Sequence, residues 1–279
     1  MNASARPPAP EPLPHPVVDN HCHLEMTLEG TDPLLPEAAL AASAAVGVPR
    51  IVQIGCELES ARWSVAVAAQ VDGIVAGVAL HPNEAPRLAG RGAFEDTWAE
   101  IERLAADPHV RAVGETGLDH FRTGEDGRAD QEHSFRLHID LAKRLGKTLV
   151  IHDRDAHDDV LRVMDDEGAP ERVVMHCFSG DADFARACLE RGYWLSFAGT
   201  VTFKNAADLR EALLVTPRDR LLVETDAPFL TPAPHRGRPN ASYLVPVTLR
   251  LMAEHRGDDL EVLCRAVEAN TFDAFGGVW

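Results

Sequence analysis

The sequence predicts a single (β/α)8 TIM barrel, and three observations lead there. Eight short apolar runs alternate with Ala-, Leu-, Glu- and Arg-rich stretches of helical spacing, the rhythm of βα units around a parallel sheet. Many of these runs are continuously apolar, as strands covered on both faces must be. Polar residues close several of them, and a barrel would gather such residues at one mouth. The chain has 279 residues, 45% of them hydrophobic, and a barrel of this kind needs about 250. A doubly wound open sheet is the competitor, but no Gly-x-Gly-x-x-Gly turn follows the first strand, which ends in histidines instead.

In chain order, residues 1–16 hold six prolines and are expected to form an extended, disordered tail ahead of one domain, 17–279. The strand-like runs are Val17–Leu24, Arg50–Cys56, Gly73–His81, Val110–Asp119, Thr148–Asp153, Arg172–Cys177, Tyr193–Thr202 and Leu221–Asp226. Between them the spacing predicts helices over Pro36–Val46, Leu58–Val71, Phe94–Ala106, Gln131–Leu145, Ala156–Glu167 and Ala182–Glu190. Two more close the chain, around Val245–His255 and Asp259–Phe275. There is no repeat beyond the βα rhythm and no sign of a second domain.

Net charge is -17 and the pI about 5.1, which argues against a basic surface for bulk nucleic-acid binding. A local basic groove is still compatible with that balance, and bound metal ions would add positive charge. The five cysteines are odd in number and scattered, without Cys-x-x-Cys, so they read as reduced thiols rather than a disulfide framework. No apolar run reaches the roughly 18 residues that a membrane span requires. A soluble, cytoplasmic protein is expected, with a monomer as the default state.

Chemistry concentrates at the strand ends. Side chains alternate along a strand, so His21 and His23 point the same way, with Asp19 one step behind. Two adjacent imidazoles make half of a metal site. Glu115 lies in the motif that ends the fourth run, His152 in that of the fifth, His176 in that of the sixth and Asp226 in that of the eighth. Taken alone, each reads first as a satisfied strand-end histidine or a carboxylate capping the next helix. Together, four histidines and two carboxylates at one mouth would be costly without a cation between them. Two divalent ions satisfy the set: His21, His23 and Asp226 around one, His152 and His176 around the other, with Glu115 bridging. A shared water would then become hydroxide near neutral pH, with Asp226 accepting its proton as general base.

These residues sit in longer motifs. His21-Cys22-His23, Gly114-Glu115-Thr116-Gly117-Leu118-Asp119, Ile151-His152-Asp153-Arg154, His176-Cys177-Phe178-Ser179-Gly180 and Glu224-Thr225-Asp226-Ala227-Pro228 resemble, in order, the motif series of the TatD family of metal-dependent hydrolases. The resemblance runs from about Val17 to the Asn270-Thr271-Phe272 helix. It implies a TIM barrel of the amidohydrolase superfamily and two divalent metals (Mg, Mn, Zn, Co, Ni or Fe). It also implies phosphodiester hydrolysis, commonly 3′→5′ exonuclease action on single-stranded DNA, with some members acting on RNA.

Further positions follow from the resemblance and from their predicted places. His81, in Leu80-His81-Pro82-Asn83, matches the family's His-Pro element and is expected to contact phosphate or donate a proton. Asn83 stands where many members carry another His, and His120 where a Tyr is commoner, which puts leaving-group chemistry and base stacking there in doubt. Arg154, Lys204, Arg236 and Arg238 fall on predicted mouth loops and are candidates for binding substrate phosphates. Glu224 shares a face with Asp226 one layer deeper and is expected to support the ligands from behind. His133, His138 and His157 read as ordinary helix residues. Two other functions stay open: hydrolysis of a lactone, amide or phosphotriester, and a metal-binding scaffold without catalysis. Glu115, where phosphotriesterase-type sites often place a modified Lys, weighs weakly against the first. The intact ligand set weighs against the second.

Overall fold

Because the strands are short and rich in Val, Ile and Leu, their stable arrangement is a sheet covered on both sides, and the chain builds one. The structure is a computed structural model and describes residues 5–279. Strands β1 (Val18–Cys22), β2 (Arg50–Gly55), β3 (Ile74–Val78), β4 (Val110–Asp119), β5 (Thr148–Arg154), β6 (Val173–Met175), β7 (Trp194–Phe197) and β8 (Leu221–Val223) form one sheet in sequence order. Every neighbouring pair is parallel. Helices α1 (Pro36–Ala44), α2 (Leu58–Ala68), α3 (Glu84–Ala89), α4 (Phe94–Ala105), α5 (Glu125–Leu145), α6 (His157–Glu167), α7 (Ala182–Glu190), α8 (Ala207–Val215), α9 (Val245–Arg256) and α10 (Leu260–Ala274) surround it. The largest apolar cluster joins strand residues such as Val78, Val113, Ile151 and Leu195 to helix residues such as Ile101, Phe135, Val160 and Leu249.

Closure occurs at the seam between β8 and β1. A parallel bridge pairs Cys22 with Ala227, Asp226 N–H donates to His21 O at 3.0 Å, and His23 N–H to Ala227 O at 2.8 Å. Deeper in the seam, side chains take the place of ladder bonds. Asp19 accepts from Thr225 N–H at 2.9 Å and from its hydroxyl at 2.6 Å. Asn20 Nδ2 donates to Val223 O at 2.6 Å and to Ser196 Oγ at 2.8 Å. The eight strands form a nearly closed TIM barrel, with all eight runs present in the expected order.

The differences from the sequence reading have local causes. The Tyr193–Thr202 run divides into β7 and a 3-10 turn over Gly199–Thr202, and the glycine at 199 lets Leu230 O pack where a Cβ would stand. Helix α5 starts at Glu125 rather than Gln131, with Glu125 and Asp126 complementing its N-terminus and Gly127 masking the signal. Helix α3 hides behind Pro86, tolerated in its first turn, where an N–H has no intrahelical partner to lose. Residues 1–4 of the expected tail lie outside the described residues, and residues 5–16 lie against the barrel. Pro-rich backbone has few donors of its own, so its carbonyls are open to outside groups. Arg238 donates to Ala5 O and Arg6 O, Tyr243 Oη to Pro7 O at 2.7 Å, and Arg250 to Glu11 O and Pro12 O at 3.0 Å each. Leu13 is buried, and its N–H donates to Val46 O at 3.0 Å. Proline stiffness also lowers the entropy lost on ordering.

Leu13 anchors this segment by burial, so Leu13→Ala should cost about 2 kcal/mol and lower the urea midpoint at unchanged m-value. An unshifted midpoint would mean the segment adds no stability.

Candidate active site at the barrel mouth

Strand ends bring the predicted ligand residues together around one carboxylate. Glu115, 4% exposed, directs its two oxygens to different partners. Oε2 lies 2.9 Å from His176 Nε2 and 3.1 Å from His152 Nδ1. Oε1 lies 3.7 Å from His21 Nε2 and 3.6 Å from His23 Nε2. Asp226 Oδ1 stands 3.3 Å from His23 Nε2 and 4.0 Å from His21 Nε2. His21 and His176 stack with ring centroids 3.6 Å apart. Asp226 reaches this position at φ +56°, a left-handed conformation that the hydrogen bond from its N–H to His21 O helps to hold.

The surrounding groups orient these rings. His23 Nδ1 is 3.0 Å from Ile54 O, so Nδ1 carries the proton and Nε2 faces the cluster. Glu224 is fully buried, accepts from Ser196 Oγ at 2.5 Å and Cys177 N–H at 3.0 Å, and has Oε1 2.9 Å from His176 Nδ1. His152 Nε2 lies 3.4 Å from Asp119 Oδ2. Asn83 Nδ2 donates to Asp119 Oδ2 at 3.1 Å and Asn83 Oδ1 accepts from Thr123 Oγ1 at 2.9 Å, so Asn83 braces the β4 end. His81 Nδ1 accepts from Asn83 N–H at 3.1 Å, which leaves Nε2–H as its free donor. Its ring meets His152 edge to face at 4.6 Å.

Burial disfavours the charged form of every group here, and the neighbours decide the outcome. At His23, the hydrogen bond and charge of Asp226, with Glu115, overcome burial and raise the ring to about 9. His152 rises to about 9 against burial, through Asp119 and Glu115. The same contacts, seen from the carboxylates, hold Glu115 and Asp226 below the usual range despite burial. His81 drops to about 3 through burial and the charge of His152, so it stays neutral.

Both ring nitrogens of His21 are buried without a hydrogen-bond partner among the described residues, an unfavourable state unless something binds there. Donor atoms held about 2.0–2.2 Å from one ion stand roughly 3–3.5 Å apart, close to the spacings around Glu115. Imidazole nitrogen with carboxylate oxygen suits borderline divalent metals. Among the described residues, four overlapping groups could hold an ion: His21/His23/Asp226, His23/Cys56/Glu115, His81/Glu115/His152 and His21/His176/Glu224.

The remaining candidates separate. Arg154 stacks on Phe121 at 3.8 Å and Arg236 on Phe203 at 3.9 Å, and Lys204 is exposed just beyond β7. His120 is largely covered, with Nδ1 3.9 Å from Asp159 Oδ2, and the open ring there is Phe121, 62% exposed. Arg238 differs from Arg236: it borders the same groove, but its guanidinium donates to the carbonyls of residues 5 and 6 and so fastens the N-terminal segment. His138 is a buried strut, accepting from Leu80 N–H at 3.0 Å through Nε2. Sequence reasoning missed Asp119, Cys56 and Phe229. Asp119 alone had a signal, its place in the Gly-Leu-Asp end of β4.

A parallel barrel with a histidine–carboxylate cluster at its C-terminal mouth defines a class, the metal-dependent barrel hydrolases. The particular family follows from similarity: the TatD-related DNase family profile matches residues 18–276, and the chain belongs to that family. It is 45% identical over 267 residues to a Mycobacterium tuberculosis protein named as an uncharacterized metal-dependent hydrolase, TatD, covering 94% of this chain and 99% of that one. It is 34% identical over 243 residues to a Cronobacter sakazakii protein named 3'-5' ssDNA/RNA exonuclease TatD, covering 85% and 90%. The crystal structure of YJJV, a TatD homologue from Escherichia coli, superposes with a TM-score of 0.84 at 27% identity, covering 94% and 98%. The chain is therefore an enzyme of the metal-dependent hydrolase type.

The raised histidines give a pH test in chelator. His23 and His152 bind protons more tightly folded than at the ordinary 6.5. Their contribution is therefore complete below pH 6.5 and lost as pH rises through about 9. Tm of the metal-free protein should fall across that window. Added Mn2+ or Zn2+ should raise Tm most at its upper end, where protons no longer compete for the rings. A Tm independent of pH across the window would refute this proton coupling.

Proposed function

We propose that the chain is a two-metal phosphodiesterase that shortens single-stranded DNA from its 3′ end, with RNA as a secondary substrate. The observation that carries this reading is the division of Glu115 between two histidine sets. In it, His21, His23 and Asp226 would hold one divalent cation and His152 and His176 the other, with Glu115 between. When bound, such ions supply Lewis acidity at a phosphate oxygen and acidify a water molecule toward neutral pH.

The chain's own groups do the rest. Asp226, kept ionised by the histidines around it, accepts the proton of the attacking water at a carboxylate oxygen. Neutral His81 donates from Nε2–H to a phosphate oxygen, its tautomer set by the Asn83 N–H. Glu224 holds His176 from behind through the 2.9 Å contact to Nδ1. Arg154 and Arg236 form no ion pair with any carboxylate among the described residues, whereas Arg136, Arg144 and Arg162 on the outer helices do. With Lys204 they leave uncommitted positive charge at the mouth of a chain of net charge -17, which supports an anionic substrate held by few contacts. The name of the Cronobacter sakazakii relative supports the same substrate and direction.

Chelation should abolish hydrolysis, and one or more of Mg2+, Mn2+, Zn2+ or Co2+ should restore it. Asp226→Asn should keep the fold and lower kcat on the order of 10²–10⁴-fold, and Glu224→Gln should lower it less. The deciding measurement is a digest of end-labelled linear and circular single-stranded DNA beside RNA, a lactone and a phosphotriester. Stepwise 3′ shortening of the linear strand with the circle intact is the expected result. Rapid cutting of the circle would remove the exonuclease mode, and turnover of the lactone or phosphotriester alone would remove the nuclease.

A further inference from the structure

Beside the cluster, the loops that follow β1, β7 and β8 enclose a groove of about 750 Å3, its lining including Glu29, Phe203, Pro228, Phe229, Arg236 and Arg238. It adjoins the candidate site, because the Phe229 ring meets the His23 ring at 6.4 Å between centroids. Phe229 is 42% exposed, yet its backbone is tied on both sides. Its N–H donates to Asp226 O at 2.9 Å, and its carbonyl accepts from Asn240 Nδ2 at 2.6 Å. The next residue, Leu230, sits at φ +54°, a conformation an aliphatic side chain adopts only when its surroundings impose it. The fold thus holds an open aromatic face rigidly at the edge of the site, where core packing has no use for it. On the facing wall Arg236 lies over Phe203, which fixes the guanidinium plane without neutralising its charge.

We propose that this groove binds one unpaired nucleobase, stacked on Phe229, while Arg236 takes the phosphate next to it. This assignment rests on the nuclease reading and adds the part of the substrate recognised and the residues that do it. Every base has a π-face, so stacking on a fixed phenyl ring holds a single strand without reading its sequence. A paired base is already stacked within its duplex and would have to leave it to enter. The contact between Phe229 and His23 puts the phosphodiester of the stacked nucleotide at the cluster. A lactone or phosphotriester gives no reason for an aromatic shelf beside an uncommitted guanidinium.

The test compares the metal-loaded wild type and Phe229→Leu on linear single strands, either intact or with one abasic nucleotide at each of the last three 3′ positions. On the intact strand, Phe229→Leu should lower kcat/KM roughly tenfold, the scale of one base–aromatic stack. The wild type should lose a similar factor when one particular position is abasic, and on that strand the two proteins should be equal. Phe229→Trp should retain cleavage of the intact strand. A 2-aminopurine at the identified position should be quenched by the wild type in chelator, and not by Phe229→Leu. Equal losses by Phe229→Leu on intact and abasic strands would show that the ring only supports His23, and would overturn the proposal. So would a wild type indifferent to abasic sites at all three positions, with nuclease activity itself intact. If no oligonucleotide is cut with any divalent metal, the nuclease reading falls and the nucleobase site with it.

Discussion

Everything at the mouth depends on how the barrel closes. The last strand has to meet the first, and a regular ladder does only part of that work. The β1–β8 seam uses backbone bonds of His21, His23, Asp226 and Ala227, so three of the candidate metal ligands also complete the ring of strands. Asp19 and Asn20 continue the seam below them through Thr225, Val223 and Ser196. Burial raises Asp19 to about 7, despite the Thr225 bonds that favour its ionised form. The joint is polar in the middle of an apolar fold, and it works because almost every donor there has an acceptor.

The second constraint is charge. Six ionisable groups share one buried space, and their mutual contacts move histidines up and carboxylates down. Protons balance the charges when nothing else is bound, and cations could replace those protons. His21 is the member that protons serve least: its pKa is lowered by burial and by His176, and its ring nitrogens have no hydrogen-bond partner among the described residues. That pattern is the electrostatic reason to read the cluster as a place for metal rather than a network of ion pairs. Outside the cluster, the outer-helix arginines are spent on local carboxylates, while those at the mouth rest on aromatic rings.

The barrel was legible in the sequence because its strands are short, apolar and regularly spaced, and β4 was readable to the residue as Val110–Asp119. The six histidines and carboxylates were legible as a set because strand ends of a barrel converge, whatever lies between them in sequence. Contacts made by surface segments were not legible. Nothing in Pro-Ala-Pro-His-Arg-Gly-Arg distinguishes Arg238, which fastens residues 5 and 6, from Arg236, which stays uncommitted on Phe203. Asn83 looked like a lost histidine, and only the fold reveals that it ties Asp119 to Thr123. Phe229 follows the Glu224–Pro228 motif unremarked, since exposure of an aromatic ring is a property of the folded turn rather than of the residues beside it.

The seam also sets an order of events during synthesis. His21 and His23 are made early and Asp226 late, and β1, already paired with β2, gains its second neighbour only when the eighth strand has emerged. A nascent or truncated chain can own most of the barrel and still lack the third member of the His21, His23 and Asp226 group. A chain that stops short of Asp226 therefore lacks both the closing strand contact and one member of the cluster, however much of the barrel it has already formed.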